Sequence, residues 1–155
     1  MSVVQHTNIS ISQIHNLKRI WKFLIAIIVL TFGGLIYVVF RSEELLMFDW
    51  FNTLELNGVV VKLREEYGHN NLWEWVNYNM PAGLWLFSYM FIIDSIWEDN
   101  NNPIYKCFIV ILPVFAITSE LLQFINILPG TFDIWDVISY VFAILLFIII
   151  KSTNK

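Results

Sequence analysis

Charge is scarce in this chain, and so is cysteine. Only 14% of its 155 residues are charged, whereas soluble domains average about 25% charged residues. The single cysteine, Cys107, cannot form a disulfide within the chain. The net charge of −4 comes without a Lys/Arg cluster, which argues against nucleic acid as a partner. These absences exclude a disordered tail, a coiled coil, a nucleic-acid-binding domain and a disulfide-bonded secreted scaffold.

Apolar residues take the place of the missing charge. They make up 57% of the chain, and the mean hydropathy is +0.63. A small soluble domain needs a polar surface that this composition does not supply. The length suits one compact bundle of membrane helices, so residues 1–155 are interpreted as a single membrane domain.

Four apolar stretches approach the length of about 20 residues that a helix needs to cross a bilayer. They cover residues 21–40, 80–97, 105–127 and 134–150. The first contains only Lys22, near its end, whereas the other three contain the carboxylates of Asp94, Glu120 and Asp136. The sequence therefore predicts an all-α integral membrane bundle of four transmembrane helices.

The distribution of Lys and Arg predicts the orientation, because cytoplasmic flanks are enriched in both. With both termini in the cytoplasm, the inner flanks hold six basic residues: Lys18, Arg19, Lys22, Lys106, Lys151 and Lys155. The outer flanks then hold three: Arg41, Lys62 and Arg64. Both termini are therefore predicted to be cytoplasmic. The apolar run from Trp21 is too long for the core of a signal peptide, so it is predicted to be a retained helix.

The outer loop, residues 41–79, has a helical pattern of its own. Apolar residues recur at helical spacing from Leu45 to Leu54, the pattern breaks at Asn57-Gly58, and VVVKLREEYG follows as a second amphipathic piece. Such segments usually lie in the membrane interface. Its aromatic residues suit the headgroup level: Trp50, Trp73, Trp75 and Tyr78. The loop is predicted to be a lid on the outer ends of the bundle, with a partner-binding surface as the alternative.

Glu120 is the acid hardest to explain as an interfacial residue. It lies about two-thirds of the way along the third stretch. Insertion of a charged residue costs about 2.5–3.5 kcal/mol at the centre of a transmembrane helix and less near its ends. Gln123 follows three residues later, so both side chains project from one helix face. That face is predicted to point into the bundle, because lipid offers neither group a partner. A structural hydrogen bond between helices is the alternative interpretation.

The turn LPGTFDIWD connects the third and fourth stretches and adds two acids. Pro129 and Gly130 favour a chain reversal, after which Asp133 and Asp136 open the last helix. Taken alone, these acids are typical of helix capping by Thr131 or Asp133. Because the turn is short, however, the helices are predicted to be antiparallel neighbours. About 10 Å of depth then separates Glu120 from the turn, so the acids can share one pocket.

Two aromatic residues are predicted at the same depth. Tyr140 lies one turn below Asp136 and can donate a hydrogen bond into the pocket. Trp85, after the helix-opening Met80-Pro81, enters the bundle at this level. An interfacial anchor or a core residue is the alternative role for Trp85.

The chemistry of this pocket stays open at this point. Three acids can bind a hard cation or share a proton for acid–base chemistry. No histidine lies in any apolar stretch, so neither a zinc site nor a Ser–His hydrolase is predicted. No metal and no cofactor are predicted, and the catalytic residues, if any, are unassigned.

The segment from Ser119 to Ala143, SELLQFINILPGTFDIWDVISYVFA, resembles the VanZ-like family of small multi-pass bacterial membrane proteins. The shared features are a Glu and a Gln three apart, a Gly-centred turn and two Asp residues opening the last helix. They correspond to Glu120, Gln123, Gly130, Asp133 and Asp136. The PAGLWLFSY and DSIW segments are also similar to the family's preceding helix, so the resemblance covers about residues 80–150.

Three positions depart from the family pattern. Thr131 replaces an Arg that commonly follows the turn glycine, Tyr140 replaces an Asn, and Ala143 replaces a Gly. The missing Arg would have been a clamp for phosphate or carboxylate. The resemblance implies a multi-pass protein of the bacterial cytoplasmic membrane with a link to glycopeptide resistance. It implies no agreed biochemical activity.

Three functions remain open on the sequence. The first is a non-enzymatic envelope protein that binds a lipid-linked or cell-wall ligand, or a partner, in the outer-leaflet acidic pocket. The second is a membrane-embedded enzyme acting on a lipid headgroup, and the third is a structural subunit of a membrane complex. Membrane lipids are the predicted partners in every case. A transporter is less favoured, because four helices without an inverted repeat leave little room for alternating access.

Overall fold

The structure is a computed structural model, and it describes residues 2–69, 73–97 and 102–153. Within these ranges the chain is all-helical, with seven α-helices and no strand. The helices are α1 (Ser2–Phe40), α2 (Leu46–Thr53), α3 (Asn57–Tyr67), α4 (Glu74–Tyr78), α5 (Met80–Ile96), α6 (Pro103–Phe124) and α7 (Ile134–Thr153). The all-α prediction is confirmed. Residues 98–101, between α5 and α6, lie outside the described residues.

Three helical segments in the described residues are long and apolar enough to cross a membrane. They are residues Asn16–Phe40 of α1, the whole of α6 and the whole of α7. The remaining apolar helix, α5, has 17 residues and a length of about 26 Å, somewhat less than the hydrocarbon core of about 30 Å. The described residues thus indicate a membrane protein with three helices of spanning length and one shorter apolar helix.

The helix ends differ from the predicted stretches for local reasons. Helix α1 begins far before residue 21. Helix α6 starts at Pro103, two residues before the predicted start, because the Asn102 side chain accepts a hydrogen bond from the N–H of Ile104 at 2.9 Å. It ends at Phe124 rather than at 127, because Asn126 adopts a left-handed φ of 57° that ends the helix.

Helix α5 lies at the centre of the bundle and packs most extensively against α1 and α7. The core includes Ala26 of α1, Leu86 and Phe91 of α5, and Phe147 of α7. Large apolar side chains on the outer faces of α1, α6 and α7 remain exposed, as in Phe115, which is 68% exposed. Exposed apolar faces of this extent suit hydrocarbon as the surrounding medium.

The outer loop contains helices α2, α3 and α4, and Arg64 of α3 fastens it to the bundle. The Arg64 guanidinium donates to the carbonyl oxygen of Val38, in the last turn of α1, at 2.7 Å and to that of Arg41, just after the helix, at 2.9 Å. It also pairs with Glu43 at 3.0 Å and lies over the Phe48 ring. Because the last carbonyls of a helix have no partner within it, this arginine acts as the cap of α1.

Candidate functional site

The α6–α7 turn brings the predicted residues Gln123, Asp133 and Asp136 near the start of α7. Gly130 has a φ of +131°, which only glycine adopts readily. A Cβ at Gly130 would lie 2.9 Å from Nε2 of Gln123, so the Gln123 side chain packs on the turn itself. Of the two candidate caps, Asp133 takes the role, because its Oδ1 accepts the N–H of Trp135 at 2.8 Å.

Glu120 is buried, at 6% exposure, and joins α6 to the start of α7. Its Oε2 accepts the backbone N–H of Asp133 at 3.3 Å. That N–H lies before the first turn of α7, where backbone donors lack partners within the helix. Glu120 therefore has a hydrogen-bond partner at the start of α7.

Asn79, between α4 and α5, connects the two aspartates, and sequence reasoning missed it. It is 4% exposed. Its Nδ2 donates to Oδ2 of Asp133 at 2.7 Å and to Oδ1 of Asp136 at 3.0 Å. A neutral amide donor between two carboxylates stabilises a pair that would otherwise repel. The only sequence signal was the position of Asn79 immediately before the helix-opening Met80-Pro81.

Asn79→Asp is expected to destabilise the protein in a pH-dependent way. The change removes the donor and places a third acid against Asp133 and Asp136, so the folded state gains affinity for protons. Stability lost at pH 8 is therefore expected to return in part at pH 5. Thermal unfolding in detergent at the two pH values measures this, with the exposed Asn52→Asp on α2 as the matched control. Equal losses at both pH values would contradict the bridging role.

A cavity of about 290 Å³ lies beside this network and combines a cation with an anion. Its polar and aromatic lining residues are Tyr37, Arg41, Trp85, Asp136 and Tyr140, and its apolar lining includes Leu86, Leu112 and Ala116. Three of the residues singled out from sequence, namely Trp85, Asp136 and Tyr140, thus share one cavity. Glu120, Gln123 and Asp133 are not among the residues that line it.

Arg41 is the second residue that sequence reasoning missed, since it counted only as a charge of the outer flank. One guanidinium nitrogen donates to the carbonyl of Tyr78 at 2.7 Å, and the guanidinium lies 5.3 Å and 5.2 Å from the ring centroids of Tyr37 and Tyr78. Its Nε is buried and has no hydrogen-bond partner. Arg41 and Asp136 line the same cavity without forming an ion pair within 4.0 Å. A buried donor without a partner costs free energy, so the position of Arg41 is held against that cost by its contacts with Tyr37 and Tyr78.

The two aromatic residues predicted for the pocket are placed by the helices that hold them. Trp85 is 41% exposed, and its indole packs against α1 at Gly33, where a Cβ would approach its Cδ1 to 3.0 Å. Tyr37 and Trp85 contact each other with ring centroids 5.2 Å apart. Tyr140 lines the cavity but donates no hydrogen bond to Asp136 or Glu120.

A second buried polar cluster surrounds Asp94, the acid of the predicted stretch 80–97. Asp94 is 7% exposed and pairs with Lys22 of α1 at 2.6 Å and with Lys151 of α7 at 2.8 Å. The Tyr105 hydroxyl of α6 donates to it at 2.9 Å and also contacts the Lys151 ammonium. One carboxylate of α5 therefore joins all four apolar helices. This cluster and the cavity involve opposite ends of α5.

No family model, no curated protein and no solved structure matches this chain. In residues 2–69, 73–97 and 102–153, no three His, Cys, Asp or Glu side chains are grouped so as to hold a metal ion. The interpretation of the site therefore depends on its geometry alone. It consists of an acidic network joined by Asn79 and, beside it, a cavity lined by Arg41 and Asp136.

Proposed function

We propose that this chain is a VanZ-like integral membrane protein of the bacterial envelope that binds a lipid-linked ligand in the cavity beside its acidic network. In this proposal α5 crosses the membrane with α1, α6 and α7, both termini are cytoplasmic, and the cavity opens in the outer leaflet of the cytoplasmic membrane. The orientation is supported by Lys22 and Lys151 at the end of the bundle opposite the cavity.

The observation that supports binding most directly is the cavity between α1 and α6. Both helices pack against α5, and in the part of the chain that the structure describes they make no substantial contact with each other. Leu112 and Ala116 of α6 form its apolar wall, whereas Arg41 and Asp136 supply its polar groups. An apolar cavity with a few convergent polar groups is typical of a ligand site. Its place between two helices suits a ligand that enters from the membrane.

Filling the cavity is expected to remove the bound lipid. Ala116→Phe places a ring in the space, whereas Val114→Phe adds the same ring on α6 at an exposed position and is the matched control. The protein is reconstituted in nanodiscs of phosphatidylethanolamine and phosphatidylglycerol, released, and examined by native mass spectrometry. We expect wild type and Val114→Phe to retain lipid that Ala116→Phe loses.

Thermal unfolding of each variant distinguishes loss of binding from loss of fold. Leu112→Trp, on the same wall of the cavity, is the second filling variant if Ala116→Phe does not fold. Equal lipid retention by a folded cavity-filled variant and by Val114→Phe would overturn the proposed function.

A further inference from the structure

The polar groups of the cavity have opposite charges, and this restricts which charged groups a ligand can have. Arg41 contributes a guanidinium and Asp136 a carboxylate to the same space of about 290 Å³. No ion pair within 4.0 Å joins them, so each group keeps room for a charged partner in the cavity. A ligand that satisfies both must present an anionic group and a cationic group at once.

Each of the two residues has bonding capacity directed to a ligand. Arg41 lines the cavity and its guanidinium donates one side-chain hydrogen bond, from Nη2 to the Tyr78 carbonyl, so the N–H groups of Nη1 are available to a phosphate, which a guanidinium binds well. Asn79 bonds only Oδ1 of Asp136. The other oxygen, Oδ2, is therefore available to a cation.

The surroundings favour a ligand with a positive group over a purely anionic one. Asp133 and Glu120 adjoin Asp136 through the Asn79 network, so three carboxylates stand against the single guanidinium of Arg41. The faces of aromatic rings also attract cations, and Tyr140 and Trp85 line the cavity. A headgroup with phosphate alone would leave the Asp136 carboxylate without a cationic partner.

We infer that the cavity takes a zwitterionic lipid headgroup, with its phosphate at Arg41 and its ammonium at Asp136. This inference rests on the proposed function and names the ligand class. The apolar wall of the cavity, which includes Leu86, Leu112 and Ala116, favours a lipid over a free phosphoamine. The acyl chains would then leave the cavity toward the bilayer.

The test is a competition among headgroups that differ in one charge. Wild-type protein in nanodiscs is offered phosphatidylethanolamine against its N-acetyl derivative, which lacks the ammonium, and against phosphatidylglycerol. One lost charged hydrogen bond corresponds to about a tenfold change in affinity, so we expect phosphatidylethanolamine to be retained about tenfold better than either competitor. Soluble glycerophosphoethanolamine, which has the same headgroup but no acyl chains, is a further competitor. We expect it not to displace the lipid.

Two variants assign the two charges. Asp136→Asn is expected to abolish the preference for phosphatidylethanolamine over its N-acetyl derivative while lipid is still retained. Arg41→Gln is expected to weaken retention of all three phospholipids about tenfold. The exposed outer-loop changes Asp49→Asn and Lys62→Gln remove the same charges elsewhere and are expected to leave the preference intact.

The outcomes separate the inference from the proposed function. One outcome is that wild type retains lipid and Ala116→Phe loses it, without any preference for a headgroup that has an ammonium. That outcome overturns the inference of a zwitterionic ligand and leaves the proposed lipid site standing. Displacement by glycerophosphoethanolamine overturns the lipid as the source of the headgroup. Retention that is equal in wild type and Ala116→Phe overturns both proposals.

Discussion

Asp94→Ala is expected to lower the free energy of unfolding by about 3 kcal/mol, the lower end of the range for breaking a buried ion pair. Asp94 is almost fully buried, and Lys22 and Lys151 are about one-third and one-fifth exposed, so partial solvation limits the loss. The variant leaves both ammonium groups without their carboxylate and the Tyr105 hydroxyl without its acceptor. Equilibrium unfolding in mixed detergent micelles measures the change.

Two further variants identify the origin of that loss. Asp94→Asn keeps an acceptor for Tyr105 but removes the charge, so it is expected to lie between wild type and Asp94→Ala. Asp49→Asn, at an exposed position of α2, removes an acid with no such partners and is expected to change stability by less than about 0.5 kcal/mol. If Asp94→Ala were as stable as wild type, the cluster would not hold the four helices together.

Gly83→Ala is expected to destabilise the bundle by about 2 kcal/mol, although alanine favours helices. A Cβ at Gly83 would lie 2.8 Å from the carbonyl oxygen of Ser139, a backbone atom of α7 that cannot rotate away. Helices α5 and α7 would have to separate, and overpacking of this kind costs about 1–3 kcal/mol. The same unfolding measurement detects the loss.

Gly34→Ala on α1 is the matched control with the opposite sign. No atom lies within 4 Å of a Cβ at Gly34. The change therefore adds helix propensity without a clash, and a gain of about 0.5 kcal/mol is expected. Two identical substitutions would then move stability in opposite directions. A loss of equal size in both variants would show that close approach of α5 to α7 is not the cause.

The helices followed from the sequence because composition and local signals determine them. Runs of apolar residues required helices to satisfy their backbone. The Asn57-Gly58 break lies where α3 begins. The sequence also located α5, since the predicted stretch 80–97 ends only one residue after the observed helix.

The candidate site was accessible from the sequence only where its residues are near each other along the chain. Glu120 and Asp133 are 13 residues apart and lie on either side of one short turn, so helix geometry could place them together. Asn79 lies 54 and 57 residues from its two acidic partners, and no periodicity relates such distant positions. Arg41 entered the site for the same reason, through the packing of α1 on α5.

By itself, the sequence determined an all-helical membrane protein and a short set of acids that needed partners, because hydrocarbon leaves no alternative to helices and penalises each unpaired charge. The tertiary structure decided which partner each acid has. Packing around α5 gave Asp94 two lysines and gave Asp136 an asparagine and a neighbouring cavity with Arg41. Those pairings depend on helix contacts between residues far apart in the chain, and such contacts have no local signature.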